Sequence, residues 1–267
     1  MSIGPWQPLW LGEPAQQLYA ALHRPDGTQA TRGVLLVPPL LYEQPRSRRF
    51  ITEVASSFAA NGIAALRFDF YGSGDSAGRS DELSLSTMHE DLNHAVAALH
   101  SLTGVSRVTV VAWRAGALVA WDWLRHVTAV SEFVLWEPIL DGREWLNSLV
   151  RADAIERCSP DRYTGQRPLF ADGSDGQLMG YPAPSVLRDA MVQLSVAPVV
   201  PTASLWLVDR ADAIDDHARQ VAASRSLILP DEAPRFGHGT RMDESLFMSP
   251  RMEKYVDELA RSLARSD

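Results

Sequence analysis

The sequence has a single cysteine, no basic run and no long apolar stretch, and each shortage excludes a class of protein. With Cys158 alone, no intramolecular disulfide can form, which fits a reducing compartment. The opening MSIGPWQPLW lacks the basic segment and apolar core of a secretory leader. No apolar run approaches the roughly 20 residues of a membrane span. Acidic residues outnumber basic ones 33 to 25, giving a formal charge of −8. That sign disfavours phosphate backbones, so neither nucleic acid nor membrane is expected as a partner. No zinc-type ligand spacing and no phosphate-loop lysine are present, so no metal or cofactor is expected. The expected location is cytoplasmic.

What is present is the composition of an ordinary globular protein, 46% hydrophobic and 22% charged over 267 residues, enough for one sizeable core. Short apolar runs alternate with amphipathic segments, which predicts an α/β protein with a mostly parallel sheet flanked by helices. Strands are expected at 16–25 (QQLYAALHRP), 33–39 (GVLLVPP), 63–70 (IAALRFDF), 107–113 (RVTVVAW), 132–138 (EFVLWEP), 203–209 (ASLWLVD) and 225–230 (RSLILP). Helices are expected from Ser47 to Ala60, from a Ser86 cap to about Leu102, after Gly116, and at the C-terminus, where Ser249 caps and Pro250 lies in the first turn. Residues 141–198 break the rhythm with a Gly-, Pro- and Asp-rich stretch between two helical patterns. They read as an inserted lid, leaving 1–140 and 199–267 as the core.

Two stretches compete for a nucleophile position. GDSAG at 74–78 matches G-x-S-x-G by letter, whereas VAWRAGA at 111–117 has the strand, tight turn and helix of a nucleophile elbow. Context favours the second, and Ser76 reads as a turn serine in a glycine-rich loop. The elbow position then carries Arg114. An arginine stays protonated and cannot form an acyl-enzyme. Cys158 has no histidine near it in sequence and is a weak alternative. Trp113 and Trp136, at strand ends, are read as core side chains or as pocket lining.

RFDFYGSGDSAG resembles the D-x-x-G-x-G-x-S-x-G loop of α/β-hydrolases. PPLLYEQPRSRRF, AWRAGALVA, LWEPILDGREWLNSLVR and MGYPAPSVLRDAM together resemble the hydrolases associated with exosortase-A systems, in the subgroup with arginine at the elbow. The resemblance implies the α/β-hydrolase fold and a lid. It makes Arg114 the elbow residue, Asp212 the acid position after the next-to-last core strand, and His238 (in FGHGTR) the base position. The backbone N–H groups of Ala115 and about Leu40 would form an oxyanion hole.

Two readings of Arg114 follow. It anchors a carboxylate, phosphate or oxyanion, or it is locked in an internal ion pair with Asp212, Glu137 or Asp141. The PRSRR cluster at 45–49 reads as a solvated helix start or as an anion site, with Glu43 as a candidate partner. Two functions correspond to these. One is an enzyme without a serine nucleophile, using His238 and Asp212 as general base on a small anionic or acyl metabolite, by hydrolysis, elimination or cyclisation. The other is an inactive pseudo-hydrolase serving as a ligand sensor or assembly partner.

Overall fold

A computed structural model describes residues 6–27, 30–128, 130–158, 176–197, 203–237 and 248–266. The chain runs β1 (Trp6–Leu11), β2 (Leu18–His23), β3 (Arg32–Val37), α1 (Glu43–Ala60), β4 (Ile63–Phe68), α2 (Leu85–Thr103), β5 (Arg107–Trp113), α3 (Gly116–Leu124) and β6 (Val130–Trp136). It continues with α4 (Gly142–Arg157), β7 (Gln177–Leu178), β8 (Tyr181–Pro182), α5 (Ser185–Met191), β9 (Ser204–Asp209), α6 (Ile214–Val221), β10 (Arg225–Ile228) and α7 (Pro250–Arg265).

The main sheet has the order β1-β2-β4-β3-β5-β6-β9-β10. Its first two strands are antiparallel to their neighbours and the rest run parallel. From β3 the chain steps outward to β4, then returns to β5 and proceeds the other way. The order therefore reverses between β3 and β5, and the loops leaving their C-terminal ends meet at a topological switch point, where α/β folds place their sites.

The parallel strands are apolar on both faces, as strands covered on both sides must be. Val34, Leu36, Val111, Val134 and Val208 face α1 and α7, while Leu35, Val37, Val110, Ala112, Leu205 and Leu207 face α2, α3 and α6. Trp113 and Trp136 belong to the first set. They are 0% and 1% exposed and stack on each other at 5.1 Å between ring centroids. Their alternate position on the strand turns them under α1, so both are core, and the pocket-lining reading of them is corrected.

Three element expectations shift. β1 was not anticipated: Pro8 and flanking glycine and prolines mask it, but an edge strand tolerates proline because one row of its N–H groups is unpaired. α1 begins at Glu43, not Ser47, because Pro45 lies in the first turn, where no N–H is needed. The α2 cap is Ser84, not Ser86: Ser84 Oγ accepts from Thr87 N at 3.2 Å and Thr87 Oγ1 accepts from Ser84 N at 3.2 Å. At the C-terminus, Ser249 caps α7 through Met252 N, as expected.

Between the adjacent strands β6 and β9 lie α4, the β7–β8 hairpin and α5. The hairpin is tied to α4 by Asp153, which accepts from Met179 N at 2.9 Å and pairs with Arg157 at 2.7 Å. Residues 159–175 and 198–202, within or just after the expected lid, lie outside the described residues.

Candidate active site

Three residues near the C-terminal ends of β3, β5 and β6 hold left-handed backbones without being glycine: Leu41 (φ 53°), Arg114 (φ 52°) and Glu137 (φ 42°). Such a conformation costs on the order of 1–3 kcal/mol and persists only where the surroundings fix it. Around Arg114 they do. Its N–H donates to Trp136 O (3.1 Å), and its carbonyl accepts from Ala117 N (3.0 Å) and Ile139 N (3.2 Å). The next turn is closed by Gly116, where a Cβ would lie 2.1 Å from Pro38 O. The strand–turn–helix expected of an elbow is present, and Arg114 occupies its strained corner.

The guanidinium does not point into empty space. Its Nε lies 3.4 and 3.3 Å from Glu43 Oε1 and Oε2, its Nη2 3.3 Å from Glu43 Oε1, and its Nη1 donates to the Glu137 carbonyl at 3.3 Å. Burial works against the charge, but the Glu43 and Glu137 carboxylates more than offset it and hold the pKa above its ordinary value. Neither Glu137, Asp141 nor Asp212 is the ion-pair partner. Glu137 pairs through its carboxylate with Arg210, and Asp141 caps α4 through Glu144 N. Burial raises the Glu137 pKa, opposed by Arg210 and Arg114. Glu43, weighed only as a partner for the PRSRR cluster, is the residue the sequence reading missed. It is 71 positions away from Arg114, and the sole signal was a carboxylate in the first turn after the β3 loop.

Arg114 keeps 25% of its side chain accessible, against 2% for Glu43. Both line a cavity of about 410 Å³, together with Tyr42, Ile139, Gly237 and one face of α4. Among the described residues no hydrogen bond occupies the backbone N–H of Leu40 or of Ala115. Asp212 lies exposed in the turn after β9 and makes no hydrogen bond among the described residues. His238 lies outside them, although Gly237 just before it lines the cavity. Cys158 is exposed at the end of α4.

The glycine-rich loop is organised differently. Ser76 Oγ donates to Asp69 O at 2.6 Å and accepts from Tyr19 N at 2.9 Å, so its hydroxyl ties the loop to β2. Asp69 takes Gln44 Nε2 (3.0 Å), Asp75 N (3.0 Å) and Arg48 Nη2 (2.7 Å). A Cβ at Gly74 would lie 2.2 Å from Asp69 Oδ2. Every strong partner here is structural.

Sheet order, switch point and elbow together define an α/β-hydrolase fold. A family model described as serine aminopeptidase, S33, matches residues 46–174. The chain is similar to Est1E from Butyrivibrio proteoclasticus, solved with ferulic acid bound (15% identity, TM-score 0.61, covering 94% of this chain and 97% of that one). It is similar to a proline iminopeptidase-related protein of Thermus thermophilus (17%, TM-score 0.61, 97% and 99%). It is also similar to XC6422 from Xanthomonas campestris, described as an α/β serine hydrolase without a lid (14%, TM-score 0.58, 99% and 97%). At these identities the likeness is one of fold. No curated protein matches the sequence. Among the described residues no helix is long and apolar enough to cross a membrane.

Proposed function

We propose that this protein is a hydrolase-fold enzyme that acts without an acyl-enzyme, on a small acyl or anionic metabolite held beside Arg114. The observation that carries this reading is Arg114 itself. A residue that cannot be a nucleophile occupies the strained elbow and still lines a cavity with Glu43. The N–H groups of Leu40 and Ala115, unengaged among the described residues, support an oxyanion hole, where preorganised donors act most strongly. In this reading His238, oriented by Asp212, activates a water or takes a substrate proton. The segment 141–198 is the lid, with α4 as one wall. The exosortase-A-associated hydrolases with an elbow arginine remain the family proposed for the chain.

A specific observation favours the second reading, an inactive pseudo-hydrolase: Glu43 already neutralises Arg114. Thermal unfolding separates the two. A ligand at about 100 times its Kd adds ~2.7 kcal/mol, which is several degrees in Tm for this size. Carboxylates, phosphates and acyl thioesters are screened against the wild type and Arg114→Ala. A shift lost in Arg114→Ala, with turnover lost in His238→Ala, supports the enzyme. Binding without turnover leaves the pseudo-hydrolase. No shift with any probe removes both ligand-binding readings. A fluorophosphonate is expected to label neither Ser76 nor any other serine.

A further inference from the structure

We infer that the ligand of this cavity is two-ended: an uncharged acyl carbonyl beside Arg114, an apolar body along α4, and an anionic group on Arg151 at the mouth. This rests on the reading of the Arg114 cavity as a ligand site and narrows its substrate class.

The charges separate the two ends. Arg114 is matched by Glu43, which is nearly covered at 2% exposure. A carboxylate placed there would meet both, gaining from one and losing to the other over similar distances. A neutral carbonyl oxygen accepts from the guanidinium without that repulsion. Arg151 is the other arginine lining the cavity; it is exposed and makes no ion pair among the described residues. An anion there meets a cation that no carboxylate pairs with among the described residues.

Along α4 the cavity wall carries an apolar stripe, with Ser148 and Arg151 beside it. Trp145, Leu149, Ala152 and Ile155 line the cavity at steps of four, three and three, which is one face of a helix. The stripe covers ten residue steps, ~15 Å of helix axis. Ile139 adds to it from across the cavity. Ile155 is 66% exposed, an apolar side chain at the cavity edge with little covering it. About 410 Å³ suits a small ligand rather than a long lipid chain.

Monomethyl suberate and dimethyl suberate test the inference by calorimetric titration at low salt. They share an ester end and an apolar body and differ in the far charge. The half-ester is expected to bind about fivefold tighter, the scale of an exposed ion pair, with the advantage fading as salt rises. Arg151→Gln, on an exposed helix face, should fold normally and bind the two esters alike, losing the preference. Equal binding of the two esters to the wild type, or a preference that survives Arg151→Gln, overturns the two-ended ligand. In that case both esters still require Arg114, and the site itself stands. If neither ester binds the wild type, the two-ended ligand is overturned and the acyl site falls with it.

Discussion

The elbow at Arg114 and the glycine-rich loop at Ser76 are both turns that follow the C-terminal ends of strands, yet only the elbow puts a non-glycine residue in the left-handed region, and the two have been put to opposite uses. The loop carries the letters of a nucleophile motif and spends its serine on two backbone hydrogen bonds. The elbow lacks the letter and keeps the geometry: positive φ, a close helix and a side chain turned to a cavity. Chemistry follows the backbone setting of a residue more than its identity within a short pattern.

The largest expected effect falls on the elbow. Gly116→Val places carbon against Pro38 O, separating α3 from β3, and should destabilise by about 4 kcal/mol or more; recovery of a normal urea transition would break the claim that this turn is fixed by contact. Next comes the root of the glycine loop, where Asp91 accepts Tyr71 N at 2.8 Å. Burial, aided by Glu90 and opposed by the Tyr71 N–H, pushes its pKa up to about 7. The folded protein therefore holds a proton the unfolded chain has released, and stability declines as pH rises from about 4 to about 7. The full loss is as much as ~4 kcal/mol. The urea midpoint should fall across that window in the wild type and fall less in Asp91→Asn; parallel pH profiles would contradict it.

Returning to the elbow, Glu43→Ala leaves a mostly buried guanidinium unpaired and should cost about 3 kcal/mol. Adding Arg114→Leu should restore most of that, and a double variant no better than the single would deny the coupling. The smallest effect belongs to Ser76→Ala, about 1–2 kcal/mol from one orphaned N–H and one orphaned carbonyl. Its ligand binding should match the wild type, and a loss of turnover there would reopen the serine as a catalytic group.

Much of the fold was legible because parallel strands and their helices announce themselves by apolar period, and the elbow because β-branched residues lead into Arg114, Ala115 and Gly116. The rest is not a local property. Trp113 and Trp136 could face either way, since both faces of a parallel strand are apolar and pattern alone does not tell core from pocket. Ser84 and Ser86 are equal candidates until Thr87 selects one. Proline at position 8 hid an edge strand, and at position 45 it hid the first turn of α1. The partner of Arg114 depended on a pairing 71 positions long. Asp212 and His238 were placed by resemblance, and their catalytic roles are proposals.

The Arg114–Glu43 pair also constrains how this chain could change. Arg114→Ser would set a hydroxyl on a ready-made elbow, but it would strand a carboxylate that is 2% exposed. Glu43→Ala first would strand the guanidinium instead. Either single step lowers stability, so the path to a serine at this elbow crosses a valley that only a paired change avoids. An arginine at this corner, once matched by its acid, works as a ratchet.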